Sequence, residues 1–373
     1  MQDLTINIVA FDIPYPADYG GTIDIFHKIR TLKKFGVNII LHCFKYNKDE
    51  QPELDKYCMQ VFYYKRKKGI RYAFSRRPYI VATRNHKQLI RNLKENDHPI
   101  IFEGLHSCFF LNADELNSRT KIVRMHNVEQ DYYEGLQRAS KNALKKIYYQ
   151  LESRKIREFE PILAHADAII SISQNDQKYF SSKFNNVHFI PAFHPFDDIV
   201  AKPGKGSYFL YHGNLSVEEN VVAANFLLDN VFSKTTAKIL IAGKAPNKNL
   251  AKKIERLKNV DLISDPSHQK MNELLENAQG CIIPTFQGTG LKLKLLVSLY
   301  SSRFVLTNLV MVENTSLESL CELANSADEF ISLINKITNR EFNQEQLNNR
   351  IEKLRLFNNE FNGAKFLKII NSL

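Results

Sequence analysis

Two lysines placed just behind a run of glycines, Lys292 and Lys294 in PTFQGTGLKLKLL, are the residues whose type and spacing point most directly to chemistry. Glycines admit an anion close to the backbone, the free N–H groups of a helix start point at it, and the helix dipole favours negative charge there. Gly288, Thr289 and Gly290 supply such a loop, and the spaced Leu291, Leu293, Leu295, Leu296 and Leu299 supply the helix behind it. Lysines in a first turn oppose the dipole, so their placement suits a bound phosphate or diphosphate that compensates them. At about 1.5–3 kcal/mol per charge-assisted hydrogen bond, the pair is worth roughly two to four decades of affinity. The residues alone also fit two solvated lysines on an ordinary surface helix.

Other reactive types gather behind apolar runs. Glu103 and His106 follow PIIF, and His126, Asn127 and Glu129 follow KIVRM. Polar side chains just past strand ends are where α/β proteins keep site groups. Glu129 also fits a plain dipole-stabilising acid at a helix start. Gly20 and Gly21 open a helix after the first strand, but not as a GxGxxG fingerprint, which argues against a dinucleotide cofactor. Gly213 and Asn214 close the strand YFLYH, with Asn220 one turn into the next helix, and Lys244 follows KILIAG.

The elements that must hold these residues read as two successive α/β domains, since 373 residues exceed a single core. TINIVAF is the first strand, Thr22 to Phe35 a helix with Ile25, Phe26, Ile29 and Leu32 on one face, and Val37 to Phe44 the next strand. A helix is expected from about Thr83 to Leu93. A long charged helix pattern covers 139–164, with Ile147, Leu151, Ile156, Phe159 and Leu163 as its buried positions. Ser173 is the N-cap expected for a helix beginning near Asp176. Pro191 to Gly206, with three prolines and two glycines, reads as the linker. A second strand–helix alternation follows, and Cys281–Ile283, the glycine loop, its helix and Phe304–Leu306 form a βαβ unit whose right-handed crossover sets the loop at the carboxyl edge of a parallel sheet. The domains are expected at 1–193, with a final helix of about 355–373, and at 205–354.

Composition narrows the class. Hydrophobic residues at 44% and charged residues at 24% suit a soluble globular protein, and no apolar run is long enough for a membrane span. No secretory signal is read at the start, and five cysteines without a CxxC pair read as buried reduced thiols of a cytoplasmic protein. A net charge of +11 implies acidic partners. Basic density peaks in residues 65–77, KRKKGIRYAFSRR, where Tyr72 and Phe74 are interleaved. That cluster suits the anionic inner face of a membrane, RNA, or a solvated loop. No nucleic-acid module is recognised, so nucleic acid is not an expected partner. Neither HExxH nor a cysteine cluster nor a D-x-D pair behind a strand is present, so no metal and no cofactor is expected.

The run GTGLKLKLLVSLYSSRFVLTN resembles the donor-site segment of GT-B glycosyltransferases of the group 1, or family 4, kind, and the resemblance extends over nearly the whole chain. Gly288 and Gly290 fall on the family's glycine loop, Lys292 on its first basic position, Lys294 on its lysine, and Phe304 to Thr307 on its strand. Val297 stands where the family has the glutamate that holds the ribose hydroxyls. HGNLSVEENVVAANFLL resembles the family variant with G-N, so Gly213 and Asn214 would face the donor; Lys244, by its place after a strand end, fits a contact to base or phosphate and equally a solvated turn lysine. Gly20 and Gly21 match the loop near the donor diphosphate, and His126 in VRMHNVEQDYY matches the histidine beside the transferred sugar. Glu129 is the second catalytic candidate. The resemblance implies two Rossmann-like domains facing a cleft, with a final helix crossing back to the first domain through Phe357, Phe361, Phe366 and Ile369. It implies retaining transfer from a nucleotide sugar to a saccharide or lipid-linked acceptor, as in surface polysaccharide synthesis. A noncatalytic binding or scaffold protein and a sugar-nucleotide epimerase using Glu103 and Glu129 share these features and stay open.

Overall fold

In the computed structural model, which describes residues 4–140, 142–286, 293–313 and 315–373, the chain divides into two compact units. One comprises residues up to His194 together with Asn359–Leu373, and the other runs from Pro195 to Asn358. Gly288, Thr289, Gly290 and Lys292 lie outside the described residues.

The first unit is built on strands β1 (Thr5–Ala10), β2 (Asn38–Lys45), β3 (Gln60–Lys65), β4 (Ile100–Glu103), β5 (Lys121–Met125), β6 (Ala168–Ser171) and β7 (Val187–Phe189). They pair in the order β3-β2-β1-β4-β5-β6-β7, every pairing parallel. β1 is buried on both faces, with Ile6, Ile8 and Ala10 in one core and Val9 in the other. That is the mark of a central parallel strand covered by helices on each side. The direction of strand addition reverses between β1 and β4, which places a ligand crevice beyond their carboxyl ends.

The Gly20–Lys34 helix buries Ile25, Phe26, Ile29 and Leu32, the face expected from their spacing. The Asn359–Ile370 helix packs beside it and sends Phe366, Ile369 and Ile370 into the same core. A Cβ on Gly363 would lie 2.7 Å from Thr31 Cγ2 and 2.9 Å from the Phe35 ring, so glycine is what lets these helices approach. The final helix thus returns to the first unit, but through fewer residues than expected: Phe361 is half exposed and Phe357 belongs to the second unit.

Two helices differ from expectation. Thr83 to Leu93 is not continuous: Tyr79–Ala82 and Lys87–Leu93 are separate helices, and His86 caps the second. The pattern over 139–164 is shorter as a helix, Ala143–Phe159, which a 3-10 turn at Glu160–His165 follows, and a separate helix, Glu129–Ala139, precedes it. In Ala143–Phe159 the buried residues are Glu152, Ser153 and Ile156, whereas Ile147 and Leu151 stand out in solvent. Glu152 is drawn inward because its Oε2 accepts the Tyr79 backbone N–H at 2.6 Å, and that turns the leucine stripe outward.

The second unit holds β8 (Phe209–His212), β9 (Ile239–Gly243), β10 (Val260–Ser264), β11 (Gly280–Ile282), β12 (Phe304–Thr307) and β13 (Glu322–Leu323). Their order is β10-β9-β8-β11-β12-β13, again parallel, with the reversal between β8 and β11. Helices Glu218–Asn230 and Ala327–Thr338 bury Leu227, Phe330 and Ile334 with Ile241 and Leu306 of the sheet. Four of the five cysteines are buried thiols, and Cys321 is partly exposed.

Candidate functional site

Each unit carries its own cluster of polar groups at the switch point of its sheet. In the first, the Gly20–Lys34 helix begins where β1 ends. A Cβ on Gly21 would meet Phe11 Cζ at 2.5 Å, so the helix start needs glycine to sit on that ring, while Gly20 is exposed. Asp24 and Lys28 follow, one turn apart and fully buried. Asp24 receives Arg124 Nε at 2.7 Å and Nη2 at 2.8 Å, a two-pronged pair, and also the Phe193 N–H at 2.7 Å. Lys28 is paired with Glu103 at the end of β4. Arg124 lies beside Glu103 in the register of β4 and β5 and donates to the carbonyls of Ile190 and Pro191. The two cations rest against aromatic faces, Lys28 on Phe366 at 5.6 Å and Arg124 on Phe193 at 5.4 Å.

His126, just past β5, closes this network. Its Nε2 is 2.9 Å from Glu103 Oε2 and 3.7 Å from Asp24 Oδ2. A carboxylate only accepts, so Nε2 carries the proton and Nδ1 is the ring nitrogen left for a ligand. Burial alone would raise the Asp24 carboxyl, but Arg124, with His126 and Lys28 behind it, holds it well below the ordinary range. Burial likewise opposes ionisation of Glu103, and Lys28 and the His126 hydrogen bond outweigh it. Asp24, Glu103 and His126 come close enough to bind one metal ion between them. Their carboxylates are already neutralised by Lys28 and Arg124, so the donor set fits a closed ion-pair network better than a cation site.

Glu129 stands apart from that network. It opens the Glu129–Ala139 helix but is buried, and the loss of water pushes its carboxyl up to about 8. It therefore carries a proton near neutral pH and is a donor there rather than a base. Its Oε1 lies 3.7 Å from His106 Nδ1, and neither atom has a hydrogen-bond partner among the described residues. Burial also holds the His106 imidazole well below its usual value. Glu129 does stand at a helix start, but as a buried acid rather than one in water.

In the second unit, Gly213 follows β8. A Cβ there would lie 3.0 Å from Lys294 Nζ and 3.2 Å from Asn220 Cγ, and a Cβ on Gly243 would lie 2.0 Å from the Gly213 oxygen. Gly243 is therefore required for the close approach of the two strand ends, and a side chain at Gly213 would crowd Lys294 and Asn220. Lys294, on the Leu293–Ser301 helix, points back over the end of β8: its Nζ donates to Asn220 Oδ1 at 2.5 Å and sits 5.0 Å above the Tyr211 ring. Asn220 in turn donates to the Asn214 carbonyl at 2.9 Å, while Asn214 Oδ1 accepts the Ser216 N–H and hydroxyl in a local turn. Val297 is on the same helix as Lys294, three residues on. Lys244 is exposed after β9, and its carbonyl accepts the Leu215 N–H at 2.9 Å.

Several members were not singled out from the sequence. His212 is buried beneath Gly213 with Nε2 2.8 Å from Ser298 Oγ, and burial, with Lys294 nearby, pushes its imidazole down to about 3, so it stays neutral. Thr285, past β11, donates to Glu219 at 2.5 Å and is clamped by the Asn308 side-chain amide. Asp24 and Lys28 stand one helical turn apart, a spacing that by itself does not tell a buried pair from an exposed one. The one available signal was Arg124, a charge in the middle of an otherwise apolar central strand.

No protein-family model matches the chain. A Klebsiella pneumoniae protein described as an uncharacterized 44.6 kDa protein in the cps region is 27% identical over 348 residues, covering 87% of this chain and 88% of that one. Among solved structures, TarM superposes with a TM-score of 0.70 at 12% identity, over 99% of both chains. Anabaena HepE, solved with UDP and glucose, gives 0.66 at 11% identity over 99% of this chain and 100% of that one. WaaG, a glycosyltransferase involved in lipopolysaccharide biosynthesis, gives 0.64 at 12% identity over 98% and 99%. Two parallel α/β units with a returning final helix, matched end to end in this way, give this chain the GT-B fold of the glycosyltransferases.

Proposed function

We propose that this protein is a retaining, metal-independent glycosyltransferase that moves a sugar from a nucleotide-sugar donor to a saccharide or lipid-linked acceptor in surface polysaccharide or glycoconjugate synthesis. The observation that carries the reading is the Lys294 ammonium, held over the Gly213 strand end with Asn220 and Tyr211. A fixed cation there neutralises the charge that builds on a departing diphosphate, which is the largest electrostatic need of such a transfer. Lysine supplies that charge in place of a metal ion, and activity is expected to persist in chelator. His126, oriented through Nε2 by Glu103, presents Nδ1 to a hydroxyl of the transferred sugar. The UDP and glucose of HepE and the lipopolysaccharide role of WaaG support a nucleotide-sugar donor and a glycan product.

One residue favours a second reading. Val297 cannot accept a hydrogen bond from a ribose, so a protein that binds saccharide or a partner transferase without turnover is the alternative. A panel of radiolabelled nucleotide sugars separates the two. Transfer or slow hydrolysis of one donor is expected; failure of the whole panel in both binding and turnover would overturn the enzyme reading.

A further inference from the structure

The three most exposed large apolar side chains of the described residues lie in two neighbouring segments of the first unit: Phe74 at 82%, Leu144 at 78% and Ile70 at 77%. Ile147 at 54% and Leu151 at 50% extend Leu144 into a stripe along the Ala143–Phe159 helix, at a spacing that puts them on one side. One turn further, Lys155 donates to the carbonyl of Ala73, the residue before Phe74, so the stripe and the 70–74 segment adjoin. Side chains of this size left in water over two adjoining elements mark an interaction surface rather than scattered exposure.

Along the segments that carry them the charge is of one sign. Residues 65–77 contain no acid, and none occurs from Gly135 to Leu151. Arg66 and Arg77 are engaged in the fold, through Thr83 Oγ1 and the Phe109 carbonyl. Lys65, Lys68, Arg71, Arg76, Lys145 and Lys146 are exposed. A second copy of the same face would bring like charges together, and nucleic acid offers nothing to leucine and isoleucine. Aliphatic and aromatic tips ringed by lysine and arginine match the interface of a bilayer with anionic headgroups, each basic group adding about 1 kcal/mol near such a surface.

We infer that residues 65–77 and the outer face of the Ala143–Phe159 helix form one docking surface for an anionic lipid bilayer, with Ile70, Phe74, Leu144, Ile147 and Leu151 entering the headgroup region. The inference stands apart from the donor chemistry and does not depend on it.

The full chain is floated with vesicles of phosphatidylcholine alone and of phosphatidylcholine with phosphatidylglycerol. Co-flotation is expected only with the anionic vesicles, weakening as salt is raised. A Phe74→Asp, Leu144→Asp double variant should lose at least about tenfold in bound fraction at equal lipid. Both sites are exposed, so its unfolding midpoint should be unchanged. The chain has no tryptophan, so Phe74→Trp gives a single emission reporter, expected to shift to the blue with anionic vesicles alone. Absent flotation, flotation indifferent to the double variant, or equal retention by polyglutamate beads would overturn the assignment.

Discussion

His126 owes its usefulness to Glu103 rather than to its own position. A lone histidine past a strand end is free to rotate and to exchange its ring proton between nitrogens; a carboxylate on Nε2 fixes both. Glu129 behaves in the opposite sense, as an acid kept neutral by burial, and this gives a pH signature. Its folded value of about 8 lies above its ordinary 4.5, so the folded chain holds a proton that the unfolded chain releases between these values. The associated stability is complete below the ordinary carboxylate range and is lost as pH rises through 8. Glu129→Gln should therefore gain on the native chain, in urea unfolding, as pH goes from 5 to 9; a pH-independent difference would contradict the burial argument. His126 and Glu129 were visible in sequence as polar residues behind apolar runs, and Lys294 as a lysine behind a glycine loop. What was not visible was the buried pairing behind His126, because it runs through Glu103 to Lys28 and sits beside the Asp24–Arg124 pair, contacts between residues far apart in the chain.

At the scale of elements, the first unit's network is a fastening among one helix and two strands. Asp24 and Lys28 come from the Gly20–Lys34 helix, Glu103 from β4, Arg124 and His126 from β5 and its end. Such a set is costly to break from one side, about 3–5 kcal/mol, because the remaining charge stays buried. Glu103→Gln should lose stability of that order and, below its melting temperature, lose turnover more than donor affinity. Adding Lys28→Met should restore most of the stability, since it removes the orphaned ammonium, but not the turnover, since His126 is still without its anchor. Recovery of both would make Glu103 a structural residue only. The element order was legible from alternation of apolar runs and helix patterns. The outward turn of Ile147 and Leu151 was not, because periodicity finds an apolar stripe without saying which side faces the core, and here a buried Glu152 decides it.

For the whole molecule, the GT-B fold was legible from two rounds of strand–helix alternation and from motifs spread along nearly the full length. At 27% and lower identities, individual residues carry the functional reading, and the heaviest of them is Lys294. Titration calorimetry of the full chain with a panel of nucleoside diphosphates, repeated on Lys294→Ala, tests that claim most directly. One diphosphate should bind, and the substitution should weaken it by about tenfold or more through loss of a charge-assisted hydrogen bond, leaving the parent nucleoside's weaker binding unchanged. An unaltered dissociation constant for the diphosphate would contradict the account.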